Sequence, residues 1–263
     1  MAIREKVLGP EHPDTAESLN NVGLTLLAQG EFAAARPLIE RALAINERTL
    51  GAEHPTTARR LDSLGNLLRD QGEFAAVRPF FERALAINER TLGPEHPTTA
   101  MSLGNLAYVL QAQGEFAAAR PLFERALAID ENVLGLEHFE TATAMSNLAR
   151  MLRDTGHANK AESLFQKAIA IGEKALGRDH PDTQRYASHY ARLLLETGRA
   201  SEGLTIAQCA LATHEAASGL NHRWTKDSAR VTADALDALG RTDEAKALRE
   251  KYALTSSDDP KAS

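Results

Sequence analysis

Cysteine, aromatic residues and long hydrophobic runs are all scarce in this chain of 263 residues. The one cysteine excludes an internal disulfide and any zinc site built from several cysteines of a single chain. No apolar run approaches the length of about 20 residues that crosses a membrane, and the first residues lack the apolar core of a secretory signal. The sequence therefore predicts a cytoplasmic protein with no membrane partner.

Strong positive charge and catalytic motifs are missing as well. The net charge of −6 argues against a nucleic-acid partner, because indiscriminate binding needs a basic surface. There is no phosphate-binding glycine loop, GxSxG, HExxH or CxxC motif. We therefore predict no enzyme activity, no cofactor and no metal, and we expect Cys209 to be a small buried core residue of a helix.

What the sequence does contain is a repeat of 42 residues. The segment LGAEHPTTA begins at Leu50, and related segments begin at Leu8, Leu92, Leu134 and Leu176. A fixed period of this length is typical of proteins built from stacked repeating units.

Each period predicts two helices. In the first copy Leu19, Val22 and Leu26 recur at three- and four-residue spacing, which indicates one apolar helix stripe. A second apolar stripe follows Gly30 and stops at Gly51, and both glycines suit a helix end. No strand-like alternation occurs, so the sequence predicts an all-α fold. Neither helix can bury its stripe alone, which means that neighbouring units must stack.

A histidine beside an acid at every junction has two interpretations, a chemical site or a helix start. Pro55 suits the first turn of a helix, and the residue before a proline is held extended, as an N-cap must be. His54 is therefore predicted to cap the helix with a ring nitrogen that accepts a hydrogen bond. Equivalent histidines of stacked helices should stand about 8–10 Å or more apart. Zinc needs three or four ligands at about 2 Å, so we interpret the motif as a helix start.

The order of small and large residues in the unit resembles the tetratricopeptide repeat. That order is Ala16, Leu19, Val22, Gly23, Leu26, Gly30, Phe32, Ala35, Ile39 and Ala42. The 42-residue period with its LGxEHPxTA junction is similar to the repeats of kinesin light chains and their bacterial relatives, over about residues 2–253. The resemblance implies an all-α, right-handed superhelical solenoid of stacked antiparallel helix pairs.

We expect one solenoid domain. Its predicted parts are the end of a preceding second helix (1–9), five repeats (10–51, 52–93, 94–135, 136–177 and 178–219), a degenerate capping repeat (220–254) and a disordered tail (255–263). Because the segment Ala2–Gly9 matches Ala44–Gly51, we also expect the chain to be a fragment of a longer array.

The resemblance further implies that the first helix of each unit lines a concave groove that holds extended peptides. Counting Ala16 as position 1, the side chains at positions 2, 5, 6, 9, 12 and 13 are expected to be exposed there. The candidate peptide-binding residues are Asn21, Arg59, Asn66, Arg69, Asn105, Tyr108, Asn147, Arg150, Arg153, Arg185, His189 and Arg192.

Two patterns among these candidates indicate how they could bind a peptide. Asn21, Asn105 and Asn147 are equivalent, and an amide side chain can bond a peptide backbone in both directions. Arg150 and Arg192 are also equivalent and could bind carboxylates. Over the first five copies these faces carry six arginines and five acids, although the whole chain has a charge of −6. The pattern favours an acidic partner segment.

Structural interpretations that involve no binding partner remain open for the same residues. Arg150 with Asp154 and Arg192 with Glu196 stand four apart and can pair along their own helix. The asparagines can equally bond between neighbouring helices.

The leading functional hypothesis is a non-catalytic protein–protein interaction scaffold that binds an extended peptide of a partner in its groove. Two others stay open. The N-terminal half-repeat could mediate homo-association, and the chain could be a ligand-sensing arm of a larger signalling ATPase, as the bacterial relatives suggest.

Overall fold

The computed structural model describes residues 2–254, which form helices joined by turns, with no strand in that range. The helices are α1 (Ala2–Leu8), α2 (Pro13–Ala28), α3 (Phe32–Thr49), α4 (Pro55–Asp70), α5 (Phe74–Thr91), α6 (Pro97–Ala112), α7 (Phe116–Val133), α8 (Phe139–Asp154), α9 (Ala158–Ala175), α10 (Pro181–Glu196), α11 (Ala200–Ser218), α12 (Arg223–Ala238) and α13 (Thr242–Lys251). The all-α prediction is confirmed, and the tail predicted to be disordered, 255–263, lies outside the described residues. No helix between residues 2 and 254 is both long and apolar enough to cross a membrane.

The helices alternate between two kinds. We call α2, α4, α6, α8, α10 and α12 the A helices, and α1, α3, α5, α7, α9, α11 and α13 the B helices. The chain divides into two compact units, Met1–Ile129 and Asp130–Ser263, and the division falls within α7. In each unit an A helix packs on the B helix that follows it, as α4 does on α5 and α8 on α9.

A short glycine turn joins each A helix to its B helix. Gly30 adopts a φ of +79°, and the next amide, Glu31 N–H, donates to the carbonyl of Leu26 at 2.9 Å. This is the Schellman arrangement, which satisfies the last carbonyls of a helix and needs a residue that tolerates the left-handed conformation. The link is so short that the paired helices run antiparallel.

The junction histidines are helix N-caps. The backbone of His54 is extended, and its Nδ1 accepts a hydrogen bond from the amide of Thr56 at 3.1 Å. The same bond, at 3.1 to 3.3 Å, is made by His12, His96, His138, His180 and His222. It persists where Phe139 or Arg223 replaces the proline that follows the other caps. The predicted cap is confirmed, and the imidazole rather than the proline is its constant feature.

At each of the first four junctions between repeats, a buried threonine forms a hydrogen bond across the turn. Thr57 Oγ1 donates to the carbonyl of Gly51 at 2.8 Å, so the start of an A helix is bonded to the end of the preceding B helix. Thr15, Thr99 and Thr141 repeat this bond at 2.8 to 2.9 Å. Each of these bonds ties the start of an A helix to the turn that precedes it.

Ion pairs also recur between successive B helices. A basic residue meets a glutamate 36 residues earlier in the pairs Arg41–Glu5, Arg83–Glu47, Arg125–Glu89 and Lys251–Glu215, at 2.6 to 3.0 Å. The partners are partly exposed, so each pair contributes little by itself, on the order of 0–1 kcal/mol. Their regular spacing nevertheless favours one register between neighbouring B helices.

Two expectations about burial are wrong. Cys209 is exposed, because the core of α11 is formed by Leu204, Ala207, Ala210 and Leu211 on its other side. Six residues of the A helices were expected to be exposed but are buried. They are Ser63 at position 6, Gln111 at position 12, and Asn20, Asp62, Ser146 and Ser188 at position 5. In the pairs described below, position 5 faces the next A helix of the same unit.

Candidate peptide-binding surfaces

The twelve candidate residues all lie on A helices and divide between the two units. The first-unit surface consists of Asn21, Arg59, Asn66, Arg69, Asn105 and Tyr108, on α2, α4 and α6. The second-unit surface consists of Asn147, Arg150, Arg153, Arg185, His189 and Arg192, on α8 and α10.

Neighbouring A helices meet through residues 43 apart. Asn105 Nδ2 donates to Oδ1 of Asp62 at 3.4 Å, and the hydroxyl of Ser146 lies 3.2 Å from Nδ1 of His189. Both pairs join position 5 of one A helix to position 6 of the next. The alternative in which the repeated asparagine bonds between helices therefore holds for Asn105.

The most accessible candidates of the first unit are Asn21 and Arg59. Both are exposed, and Arg59 donates to the hydroxyl of Thr56 at 3.3 Å, one turn back along its own helix. Asn66, one turn beyond Asp62, is half-buried. Asn21 and Arg59 are therefore the candidates of this unit whose side chains are exposed to solvent.

Arg69 and Tyr108 form a packed pair. The Arg69 guanidinium bonds the carboxylate of Asp70 at 3.0 Å and stands 5.5 Å from the centre of the Tyr108 ring. The ring in turn packs 6.4 Å from Phe74 at the start of α5. A cation over an aromatic face adds about 0.5–1 kcal/mol, so this pair is a rigid edge of the first-unit surface.

Asp62 is a functional candidate that was not singled out from the sequence. Burial raises the pKa of its carboxyl to about 7, and the hydrogen bond from Asn105 opposes that rise only in part. Its burial depends on a residue 43 positions away, so no local pattern around it could have shown this.

Four arginines of the second-unit surface act electrostatically on the ring of a fifth member, His189. The pKa of His189 is lowered well below its ordinary value, first because its ring is withdrawn from water and then because of four positive charges. Those charges belong to Arg150, Arg153, Arg185 and Arg192. The sixth member, Asn147, is half-buried and follows Ser146 along α8.

The arginines around His189 differ in how closely each one contacts a carboxylate. Arg153 is only 8 % exposed and bonds the carboxylate of Asp154 at 2.7 Å, so it is fixed. Arg185 lies 3.1 Å from Asp182. Arg192 has a looser contact, 3.8 Å from Asp234 on α12.

An aromatic cage surrounds Arg185. Its guanidinium stands 5.3 Å from the ring centre of Tyr186 and 5.2 Å from that of Trp224. The Trp224 ring also packs on the rings of His214 and His222, at 5.9 and 5.1 Å. Trp224 therefore positions a cation of the candidate surface. This role could not be predicted from the sequence, because the contact crosses from one repeat to the next.

No metal-binding arrangement accompanies these side chains. Between residues 2 and 254 no group of three or more His, Cys, Asp and Glu side chains is placed to hold a metal ion. The arginines around His189 supply guanidinium donors of the kind that bind anionic groups, although Asp154, Asp182 and Asp234 already contact three of them.

Solved structures of other repeat proteins share this architecture. A putative kinesin light chain of Podospora anserina with nearly identical TPR-like repeats is 27 % identical, with a TM-score of 0.60 over 78 % of this chain and 97 % of that one. BtubC (BKLC) from P. vanneervenii is 17 % identical, with a TM-score of 0.60 over 86 % and 89 %. A Rap protein complexed with competence and sporulation factor is 14 % identical, with a TM-score of 0.65 over 89 % and 73 %. The last two show likeness of fold alone.

Family comparison gives the same result. A search of curated proteins found no significant match. The tetratricopeptide repeat model matches residues 1–47, 21–90, 63–132, 98–174 and 140–202, and a second tetratricopeptide repeat model matches 228–251. The chain therefore belongs to the tetratricopeptide repeat family, and its units are of the kinesin-light-chain-like type.

Proposed function

We propose that this protein is a non-catalytic interaction scaffold that binds an extended, acidic segment of a partner protein along its A helices. The observation that carries the proposal is the presence of four arginines, Arg150, Arg153, Arg185 and Arg192, on the A helices α8 and α10, together with the effect of all four charges on His189. Guanidinium groups bind carboxylates through paired hydrogen bonds, so a cluster of them favours an acidic peptide over a neutral one.

The cluster has both fixed and available members. Arg153 is committed to Asp154 and holds positive charge in place. The contact of Arg192 with Asp234 is long and partly exposed, so an incoming carboxylate can compete for that guanidinium. Arg150 stands on the equivalent turn of the preceding A helix, so the two arginines supply charge from adjacent helices.

The family supports the same proposal at a coarser level. Repeats of this kind serve in protein recognition, and the Rap protein of similar fold holds competence and sporulation factor. The similarity to the Rap protein is one of fold alone. The proposed preference for acidic peptides is inferred from the arginines of this chain.

The direct test is selection from a random peptide library displayed on phage, with the intact chain as bait. A variant carrying Arg150→Glu and Arg192→Glu would be compared with the wild type, after circular dichroism had shown equal helicity. The matched control is Lys167→Glu with Arg178→Glu, which changes the net charge equally at exposed sites of the second unit away from the A-helix surface.

We expect the wild type and the control to select peptides rich in Asp and Glu, and the Arg150/Arg192 variant to lose that enrichment. Acidic peptides retained equally by all three baits would place binding elsewhere. If no peptide were selected by any bait, the proposed function itself would be wrong.

A second candidate, homo-association, is favoured by one observation on α1. Ile3 is 80 % exposed and Val7 is 72 % exposed, whereas Ile45, the repeat equivalent of Ile3, is fully buried. A second copy of the chain could cover these side chains. Light scattering of the wild type and of Ile3→Glu over a range of dilutions tests this, and a monomer at every concentration would reject it.

A further inference from the structure

His214 is a buried histidine on α11 that joins three helices. It is 1 % exposed, and both of its ring nitrogens have partners. Nδ1 lies 2.8 Å from the hydroxyl of Ser228 on α12, and Nε2 lies 2.9 Å from the carbonyl of Pro181 at the start of α10. Because a carbonyl can only accept, Nε2 carries the proton of the neutral ring and Nδ1 accepts from Ser228. The neutral imidazole therefore links α12 to the helix pair that precedes it.

No other repeat has a histidine at this position. Asn88 Nδ2 donates to the hydroxyl of Ser102 at 2.9 Å, which is the equivalent of the bond between His214 and Ser228. The contact itself therefore needs only a polar side chain. What the histidine adds is the capacity to take up a proton within the range of pH near neutrality. The equivalent residues of the first four repeats are Asn46, Asn88, Asp130 and Gly172.

A proton on this ring would be poorly accommodated. Burial lowers the pKa of His214 below its ordinary value, and the bond to the Pro181 carbonyl opposes this only in part. Of the charged groups that act on the ring, Arg185 on α10 lowers the pKa further and Asp227 on α12 raises it. An imidazolium at this position would thus be withdrawn from water and would experience the repulsion of a guanidinium.

Within residues 2–254, the helices α12 and α13 have neighbours on one side only. α12 packs on α10 and α11, and α13, the last helix that the structure describes, packs mainly on α12. Glu215, which follows His214 on α11, accepts hydrogen bonds from Lys251 and Tyr252 of α13, so that carboxylate is already engaged. Stacked repeats contact only their neighbours, so a pair at one end can open while the others stay folded.

We propose that His214 is a pH-sensitive latch. Its neutral ring holds α12 and α13 against α10 and α11, and its protonation releases that helix pair. When the pair is open, the ring is exposed to water and takes up a proton at a pH of about 6.5, whereas the closed pair resists that proton. The closed state is therefore fully favoured above that value and loses stability as the pH falls below it.

Release of this helix pair would also change the second-unit surface. α12 carries Trp224, whose ring centre stands 5.2 Å from the Arg185 guanidinium, and Asp234, which lies 3.8 Å from Arg192. Opening removes both contacts and leaves the two arginines available to an acidic ligand. This consequence rests on the proposed function, whereas the latch itself does not.

Trp224 makes a direct test possible. It is the one tryptophan of the chain, it lies on α12, and its ring packs 5.9 Å from that of His214. Its fluorescence would be followed from a pH of about 8 to a pH of about 4, with circular dichroism in parallel to measure helicity. The variant is His214→Asn, which should fold because asparagine is buried at the same position in two other repeats, as Asn46 and Asn88.

The matched control is His222→Asn. The His222 ring also packs on Trp224, at 5.1 Å, so this variant removes any direct effect of that imidazole on the fluorescence. Asparagine retains the capacity to cap α12. Neither variant changes Arg185 or Asp227, so the charges that act on position 214 stay the same.

We expect the fluorescence of the wild type and of His222→Asn to change below a pH of about 6.5, before most of the helical signal is lost. His214→Asn should lose that early change. The inference would be overturned by the absence of an early change in the wild type, by its persistence in His214→Asn, or by its loss in His222→Asn. None of these readouts involves a peptide, so such a result would leave the arginine site standing, and the phage selection tests that site independently.

Discussion

Gly65 and Phe81 lie so close that a Cβ on Gly65 would stand 2.5 Å from Cε1 of the Phe81 ring. Gly65 is on α4 and Phe81 is on the paired helix α5. The ring is fully buried. The missing side chain of Gly65 is therefore what lets this helix pair approach closely.

Gly65→Ala should destabilise the protein. Overpacking a full core costs about 1–3 kcal/mol, which exceeds the gain of about 1 kcal/mol from replacing glycine by alanine in a helix. We expect a lower midpoint in urea unfolding followed by circular dichroism. Gly104→Ala is the control, because its Cβ meets nothing within 4 Å, and it should raise the midpoint. Shifts in the same direction for both variants would contradict this packing account.

His54→Ala should remove the N-cap of α4. The bond from Thr56 N–H to Nδ1 would be lost, and losing such a cap costs about 1 kcal/mol of stability. His54→Asn should keep most of that stability, because asparagine also caps through its side-chain oxygen. Thermal unfolding of the two variants beside the wild type measures the difference. Equal melting of His54→Ala and His54→Asn would mean that the histidine acts here through something other than capping.

Asp130→Asn should stabilise the protein at neutral and alkaline pH. Asp130 occupies the buried position held by Asn46 and Asn88 in earlier repeats. Burial, together with the charge of Glu140, raises the pKa of its carboxyl from 3.8 to about 6, and His138 offsets part of that rise. The folded state thus holds the proton more tightly than the unfolded state. The stabilising contribution of Asp130 is complete below a pH of about 4 and is lost as the pH rises through about 6.

The asparagine cannot ionise and so avoids that loss. At a pH of about 8 we expect Asp130→Asn to be more stable by about 1–3 kcal/mol, and at a pH of about 4 we expect no difference. Urea unfolding at the two pH values measures this. A stability difference that did not change with pH would show that the ionisation of Asp130 is not its cause.

His189→Asn should make the protein less sensitive to acid. The pKa of His189 is lowered by burial and by the neighbouring arginines, so the folded state resists a proton that the unfolded state takes up near 6.5. The stability that the neutral ring contributes is present above that value and is lost as the pH falls below it. Asparagine stands at the equivalent position in three other repeats, as Asn21, Asn105 and Asn147.

The measurement is urea unfolding at a pH of about 8 and of about 5. We expect the wild type to lose more stability between these values than His189→Asn does. Parallel losses in the two proteins would mean that the folded state does not lower the pKa of this ring.

The fold could be predicted from the sequence almost completely, because its determinants are local. A helix start at His54 depends on bonds to the next two residues, and a helix end at Gly30 depends on the preceding turn. The same short-range pattern returns every 42 residues, so each copy supports the reading of the others. Cys209 was misplaced because it lies next to buried residues in the sequence but on the other side of α11.

The candidate surfaces could be predicted only as lines of residues along the A helices. Arg150 and Arg192 were found from their equivalent positions, but their common neighbour His189 and the cage of Tyr186 and Trp224 around Arg185 appear only in three dimensions. The spacing of residues along α4 predicted which face of the helix carries Asp62, but it did not predict that Asp62 is buried.

By itself, the sequence determined the period, the helix bounds, the histidine caps and the membership of each residue in an A or B helix. These depend on backbone hydrogen bonds and side-chain contacts within a few residues. Only the tertiary structure decided which charges are satisfied. Arg192 meets Asp234, His189 meets Ser146, and Asp62 keeps an unpaired oxygen, because each outcome depends on how residues about 42 positions apart approach when the helix pairs stack.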